Sequence, residues 1–253
     1  MIPPQQNSHF VAAMEQVLDV YKRPYDKSNP VVCMDETPKQ LIKEVRKSVL
    51  MKPGFEKRVD YEYSRCGVCN IFMVSEPLAG KRYMKVTQQR TKKDWALLVR
   101  YICNRLYPKA KKISLVMDNL ASHSAAALYE TFKPAEAKRL WDRLEFVFTP
   151  KHGSWLNMAE IELNVLTKQC LNRRIDKINM IKSEVKAWQN HRNNKNAKIK
   201  WQFTTDDARV KLHRLIRQFM VDMTVVTFCS HKFSSGNIFT LLKMVMRLTG
   251  RSW

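Results

Sequence analysis

The chain has 253 residues, 45 Lys and Arg against 23 Asp and Glu, and hence a formal charge of +22 with a pI near 9.9. Hydrophobic residues make up 45 % and glycines number only six, which supplies a core and excludes disordered and fibrous architectures. No apolar run reaches the ~18 residues that span a bilayer, and the start MIPPQQNSHF lacks a signal-peptide pattern. Six cysteines in so long a chain do not read as a disulfide framework, so a reducing cytoplasm is expected. The positive excess is spread along the chain and calls for a polyanionic partner, nucleic acid first. A membrane surface would need a basic amphipathic helix or a lipidation signal, and the sequence has neither.

Taken in order, Ser8 to Tyr21 carries apolar residues at helical spacing behind Ser8 as a cap. Val31 to Asp35 is a short buried-strand run, with Pro38 expected to end it, and residues 39–60 read as basic and irregular around a Pro53-Gly54 turn. Strands follow at Tyr61 to Val74 and Arg82 to Val86, joined by a turn from Pro77 to Gly80. A helix from Trp95 to Leu106 starts near Thr91, and Ile113 to Met117 is a second buried strand ending in Asp118. Helices at Ala125 to Phe132 and Ala135 to Leu144 lead to a strand, Glu145 to Phe148, closed by Thr149-Pro150. Trp155 to Leu171 has the clearest helical pattern, then Met180 to Asn193, and Thr205 to Leu215 closes the series. The order of elements is that of an α/β fold, a mixed sheet with helices on its faces. Residues 216–253 change to a Met/Val/Thr/Phe-rich composition.

Two buried strands that deliver an acid are the chemical signal. A carboxylate beside a buried run is costly unless it accepts hydrogen bonds or binds a cation. Asp35 and Asp118 occupy such positions, and hard divalent cations take carboxylate oxygens. Asp35 and Glu36 are neighbours on a strand, so they face opposite sides and are not expected to enter one site together. Glu160 and Glu162 lie about 200° apart on the next helix, and periodicity does not choose between them. The Cys66-Gly-Val-Cys69 pair has no second ligand pair, which disfavours a zinc site.

The segments VVCMDETPKQL (31–41), LVMDNLASH (115–123) and TPKHGSWLNMAEIEL (149–163) closely resemble the acid motifs of DDE transposases. The resemblance is to the mariner-related bacterial insertion-sequence group called IS six-thirty and runs from about Ile2 to Leu215. It implies a ribonuclease-H-like mixed sheet flanked by helices, and it selects Asp35, Asp118 and Glu160 as catalytic metal ligands. Glu162 is then expected to be an ordinary helix residue, and Glu36 a strand neighbour. It implies Mg²⁺, with Mn²⁺ as substitute, as two ions about 4 Å apart. Asn119, His123, Lys151, His152 and Asn157 match the flanking pattern and are expected to touch DNA or to support the ligands.

The implied reaction is cleavage of element-end DNA followed by strand transfer into target DNA. Double-stranded DNA is thus the expected partner, bound by a dimer, in the cytoplasm at the nucleoid. Family members carry a helix-turn-helix region ahead of the catalytic unit. Residues 1–30 accordingly read as a linker helix to such a region, supplied here by an upstream polypeptide or lost. Residues 31–215 read as the catalytic domain and 216–253 as an atypical tail, expected to pack poorly. The alternatives are an inactive remnant that only binds DNA, and a nuclease or resolvase of the same fold.

Overall fold

A computed structural model describes residues 8–46, 53–54, 61–120 and 122–211. Its strands are β1 (Val31–Glu44), β2 (Tyr63–Glu76), β3 (Lys81–Thr87), β4 (Ile113–Met117) and β5 (Leu144–Phe148). They form one mixed sheet in the order β3-β2-β1-β4-β5, antiparallel from β3 to β1 and parallel from β1 to β5. The helices are α1 (Ser8–Tyr21), α2 (Lys92–Tyr101), α3 (Ala125–Thr131), α4 (Pro134–Asp142), α5 (Met158–Leu166), α6 (Ile178–Asn194) and α7 (Thr205–Lys211). Compact units divide at Met1–Thr205 and Asp206–Trp253, the second described only over 206–211. The tail 216–253 therefore lies outside the described residues. No helix among the described residues is long and apolar enough to cross a membrane.

Register assigns the two faces of the sheet. Val32, Met34, Phe72, Val74, Leu115 and Met117 point to one face and pack with Trp95, Leu98 and Val99 of α2, Leu128 of α3 and Leu140 of α4. The alternating residues Arg82, Ser75, Cys33, Val116 and Val147 line one row of the other face. That face receives α1 and α5: the Tyr21 hydroxyl lies 3.5 Å from Cys33 Sγ, and Arg82 pairs with Glu162 of α5. Helix α1 buries Phe10, Met14, Val17, Leu18 and Val20, in accord with its helical spacing.

Several boundaries differ from the sequence expectation, among them the helix expected from Trp95 to Leu106, which is α2 followed by a π-helical turn at Ile102–Leu106. Pro38 does not end β1, which runs on to Glu44 against β2. Pairing of β1 with β4 stops at Cys33–Val116, so Pro38 lies where one edge of β1 is open, the place in a sheet where proline is tolerated. The helix expected from Trp155 to Leu171 is three pieces: a 3₁₀ turn at Ser154–Leu156, α5, and a π-helical turn at Thr167–Leu171. The break is Asn157, held extended at φ −82° and ψ 112° so that its side chain caps α5. At other ends local chemistry is plain. Thr91 and Asp94 form a reciprocal capping box at α2, and Gly80 turns at φ +64° where a Cβ would meet the Asn196 carbonyl carbon at 2.9 Å.

The outer edge of β3 is covered by side-chain amides of α6. Asn193 Oδ1 accepts from the Arg82 N–H at 2.9 Å while its Nδ2 donates to the Arg82 carbonyl at 2.9 Å, and Gln189 Oε1 accepts from the Met84 N–H at 2.9 Å. These bonds satisfy backbone groups that would otherwise offer a template for strand addition.

The C-terminus of α1 is tied to the far side of the sheet by a forked contact, Arg23 Nη1 and Nη2 to Glu145 at 2.7 and 3.0 Å, with Ser114 Oγ donating to the same carboxylate at 2.6 Å. These hydrogen bonds, Arg23 first, lower the Glu145 carboxyl from 4.5 to about 2. A depressed folded value gives stability that is complete above about 4.5 and is lost as pH falls toward 2. Both groups are more than a third exposed, which keeps the contribution small. Melting temperatures of the native chain and Glu145→Gln are therefore expected to differ at neutral pH and to converge between pH 4.5 and 2.

Candidate active site

The acids meet where β4 ends. Asp118 follows the last residue of β4, and the parallel register of β1 with β4, carried two residues beyond Cys33–Val116, places Asp35 beside it. Asp35 belongs to the same row parity as Cys33 and so faces α1 and α5. Glu160, exposed in the first turn of α5, and Asp118 both act electrostatically on Asp35. Burial first, then the charges of Asp118, Glu36 and Glu160, push the Asp35 carboxyl up to about 7, against one hydrogen bond from the Glu36 N–H to Oδ1 at 2.8 Å. Helix geometry left Glu160 and Glu162 open, and the structure separates them. Glu160 neighbours Asp35, whereas Glu162 is fully buried on the sheet side of α5.

Glu162 is not an ordinary helix residue. Arg82 Nη2 donates to its Oε1 at 2.6 Å, and Arg192 donates to both oxygens at 3.1 Å. Burial would raise its carboxyl, but these two guanidinium groups outweigh that and hold it below the ordinary value. The cause of its burial is the ~200° between it and Glu160, which turns it toward the edge row of the sheet.

Glu36 is more than a strand neighbour. It points to the opposite face, as pleating requires, yet Asp118 sits past the strand end and is reached from both faces. His123 bridges them: Nδ1 is 2.8 Å from Asp118 Oδ1 and Nε2 is 3.5 Å from Glu36 Oε2. The Nδ1–H is directed to the Asp118 carbonyl at 3.2 Å, so the carboxylate contact is close but out of line, and Asp118 Oδ1 and Glu36 Oε2 lack directed donors among the described residues. Burial lowers the His123 pKa; the Asp118 hydrogen bond and the Glu36 and Asp118 charges reverse this and leave it raised. Its ring stacks on Trp95 at 5.5 Å and is 1 % exposed. Arg90 Nη1, 3.8 Å from Glu36 Oε1, ends this chain of groups at the surface. The Glu36–His123 link was missed because it depends on where the chain goes after β4, which strand patterning does not report.

The remaining flanking residues separate by burial. Asn157 is 1 % exposed: its Oδ1 accepts from the Ala159 N–H at 3.1 Å and its Nδ2 donates to the Met34 carbonyl at 2.8 Å. It joins the start of the Glu160 helix to the strand residue before Asp35. The Tyr21 hydroxyl adds a second tie, donating to the Leu156 carbonyl at 2.8 Å and accepting from the Met158 N–H at 3.4 Å. Asn119, Lys151 and His152 are exposed. His152 holds a left-handed φ of 62°, and Gly153, whose Cβ would sit 2.5 Å from Pro150 Cγ, closes the same turn.

The donor set suits a hard divalent cation. Four carboxylates approach one another, two buried carboxylate oxygens lack directed donors, and Asp35 gains by neutralisation of its neighbours. Among the described residues one ligand set is already drawn together. Glu36, Asp118 and His123 bring ligand atoms within 4.8 Å of one another, but Glu36 and His123 are buried and His123 Nδ1 is occupied as a donor to Asp118. Asp35, Asp118 and Glu160 open to solvent and present oxygens alone. An ion that also met a substrate would need solvent access, which these three carboxylates offer.

Removing the Asn157 amide deletes a helix cap and orphans the buried Met34 carbonyl. Asn157→Ala should therefore cost about 2–3 kcal/mol in urea unfolding, against about 1 kcal/mol for Tyr21→Phe.

A family model for the DDE superfamily endonuclease matches residues 30–182. Among solved structures, the Mos1 mariner paired-end complex with Mn superposes at TM-score 0.54 with 15 % identity, covering 78 % of this chain and 60 % of that one. The Mos1 transposase paired-end complex with left transposon end gives 0.51, 14 %, 78 % and 64 %, and the Mos1 strand transfer complex 0.51, 15 %, 78 % and 63 %. This chain thus spans about three-fifths of the length of those chains, and at such identities the likeness is one of fold. No match to the chain emerges among curated proteins. With a mixed sheet that gathers acids at the end of β4 and a family match over most of that sheet, the chain belongs to the DDE superfamily endonucleases.

Proposed function

We propose that this chain is the catalytic domain of a transposase of the bacterial IS six-thirty type, which cleaves DNA at the ends of its element and transfers the freed 3′ end into target DNA. One observation supports the reading: Asp118, just past β4, and Glu160, in the first turn of α5, both act on the charge of Asp35 in β1. Asp35, Asp118 and Glu160 are the residues that would hold two divalent ions. Ions bound there supply activation of a water or a DNA 3′-hydroxyl and neutralisation of the leaving oxygen in an in-line displacement.

The protein's own groups orient and neutralise. His123 holds the Asp118 carboxylate from behind, and Glu36 holds His123. Asn157 and Tyr21 fix the start of the Glu160 helix. Lys151 and His152, exposed in the turn that leads to α5, and Asn119 next to Asp118 would meet DNA phosphates. The surplus of positive charge over the rest of the chain attracts the DNA backbone. In this reading the DNA is double-stranded, two chains bring two element ends together at the nucleoid, and a separate helix-turn-helix polypeptide recognises the ends. Residues 31–215 carry the chemistry.

The test is nicking of labelled element-end duplex with Mg²⁺ or Mn²⁺, with the upstream reading frame co-expressed. The native chain should nick at the element end, and Asp35→Asn, Asp118→Asn and Glu160→Gln should each reduce nicking to background while leaving DNA binding in place. Absence of metal-dependent nicking would mark the chain as a remnant that only binds DNA. Cleavage of RNA–DNA hybrids or junctions lacking element ends would assign it to another nuclease class.

A further inference from the structure

Helix α5 turns its apolar residues Met158, Ala159, Leu163 and Leu166 inward together with one ionised group, Glu162. At 100° per residue, Glu160 falls on the flank of this buried arc, next to Leu163. Apolar packing is non-directional and would tolerate rotation of so short a helix about its axis. A turn of one residue would carry the Glu160 carboxylate off the flank that borders Asp35.

The Glu162 contacts supply direction. Arg82 comes from the sheet row next to that of Asp35, and its guanidinium is itself fixed by the Gly80 carbonyl at 2.9 Å and by the Ala197 carbonyl. Arg192 approaches from α6, whose Asn193 and Gln189 are bonded to the β3 backbone. Arg82 and Glu162 side chains are both 0 % exposed. Such a triad is a poor source of net stability, because desolvation offsets the attraction, and here Arg82 Nε has no hydrogen-bond partner among the described residues.

We infer that the buried Arg82–Glu162–Arg192 triad is a positioning device that sets the rotation of α5 and so aims Glu160 at Asp35. Together with Asn157 at the helix start, it fixes α5 at two points, one on β1 and one on β3 and α6. The inference rests on the proposed role of Glu160 as a metal ligand.

The experiment uses the full chain with Arg82→Met, Glu162→Met and Arg192→Met combined, and reads melting temperature, Mn²⁺ affinity by electron paramagnetic resonance, and nicking. The apolar triad should melt no lower than the native chain. It should bind Mn²⁺ about 10–100-fold more weakly, as expected when support of a metal ligand is lost. Glu160→Gln should weaken Mn²⁺ binding less in the apolar-triad background than in the native one, since the triad acts through Glu160. A folded variant with native Mn²⁺ affinity and full sensitivity to Glu160→Gln would overturn the inference. Should the triple variant not fold, Arg192→Gln, which keeps the Arg82–Glu162 pair, should still weaken Mn²⁺ binding several-fold, and an unchanged affinity would count equally against it. If Glu160→Gln and Asp118→Asn leave Mn²⁺ binding intact in the native background, the metal-site reading fails instead.

Discussion

Carboxylates repel one another, and this fold places four of them at one end of a sheet. Asp35, Glu36, Asp118 and Glu160 come from a strand, the end of its parallel neighbour and the first turn of a helix. Their mutual proximity raises Asp35 toward neutrality after burial has already done so. A site under such strain holds its shape only if each acid is anchored from behind. Asp118 is backed by His123 and Glu36, Glu160 by the capping of α5 and the triad beneath it, and Asp35 by the central strand itself.

The other ionised groups show the contrast. Glu145 is matched by Arg23, and Glu162 by Arg82 and Arg192, each with hydrogen bonds that lower the carboxyl. Among the described residues, only His123 and the exposed Arg90 pair with this charge, at distances that leave buried oxygens without directed donors. In a chain with a charge of +22, a pocket of uncompensated negative charge is what a divalent cation would neutralise. The basic remainder is suited to the phosphate backbone that such a cation would act on.

Much of this was legible in the sequence, and the failures are instructive. An acid after a buried apolar run drew notice to Asp35 and Asp118, and the structure sets the two side by side, Asp118 past the end of β4 and Asp35 within β1. Choosing Glu160 over Glu162 needed family resemblance, since a helix period assigns directions but not what lies in each direction. Arg82 lies 80 residues from Glu162 and Arg192 lies 30, so their pairing is a product of topology that no local signal carries. Pro38 was read as a stop because proline lacks an N–H. The structure shows a strand with one open edge, where that loss is harmless.

Which acids would face a bound divalent ion decides between the two faces of the sheet. Anomalous diffraction from crystals of the chain grown with Mn²⁺ would locate it directly. Peaks bounded by Asp35, Asp118 and Glu160, on the α5 side of the sheet, are the predicted result. A peak held by Glu36 and His123 with Asp118, on the Trp95 side, would contradict it.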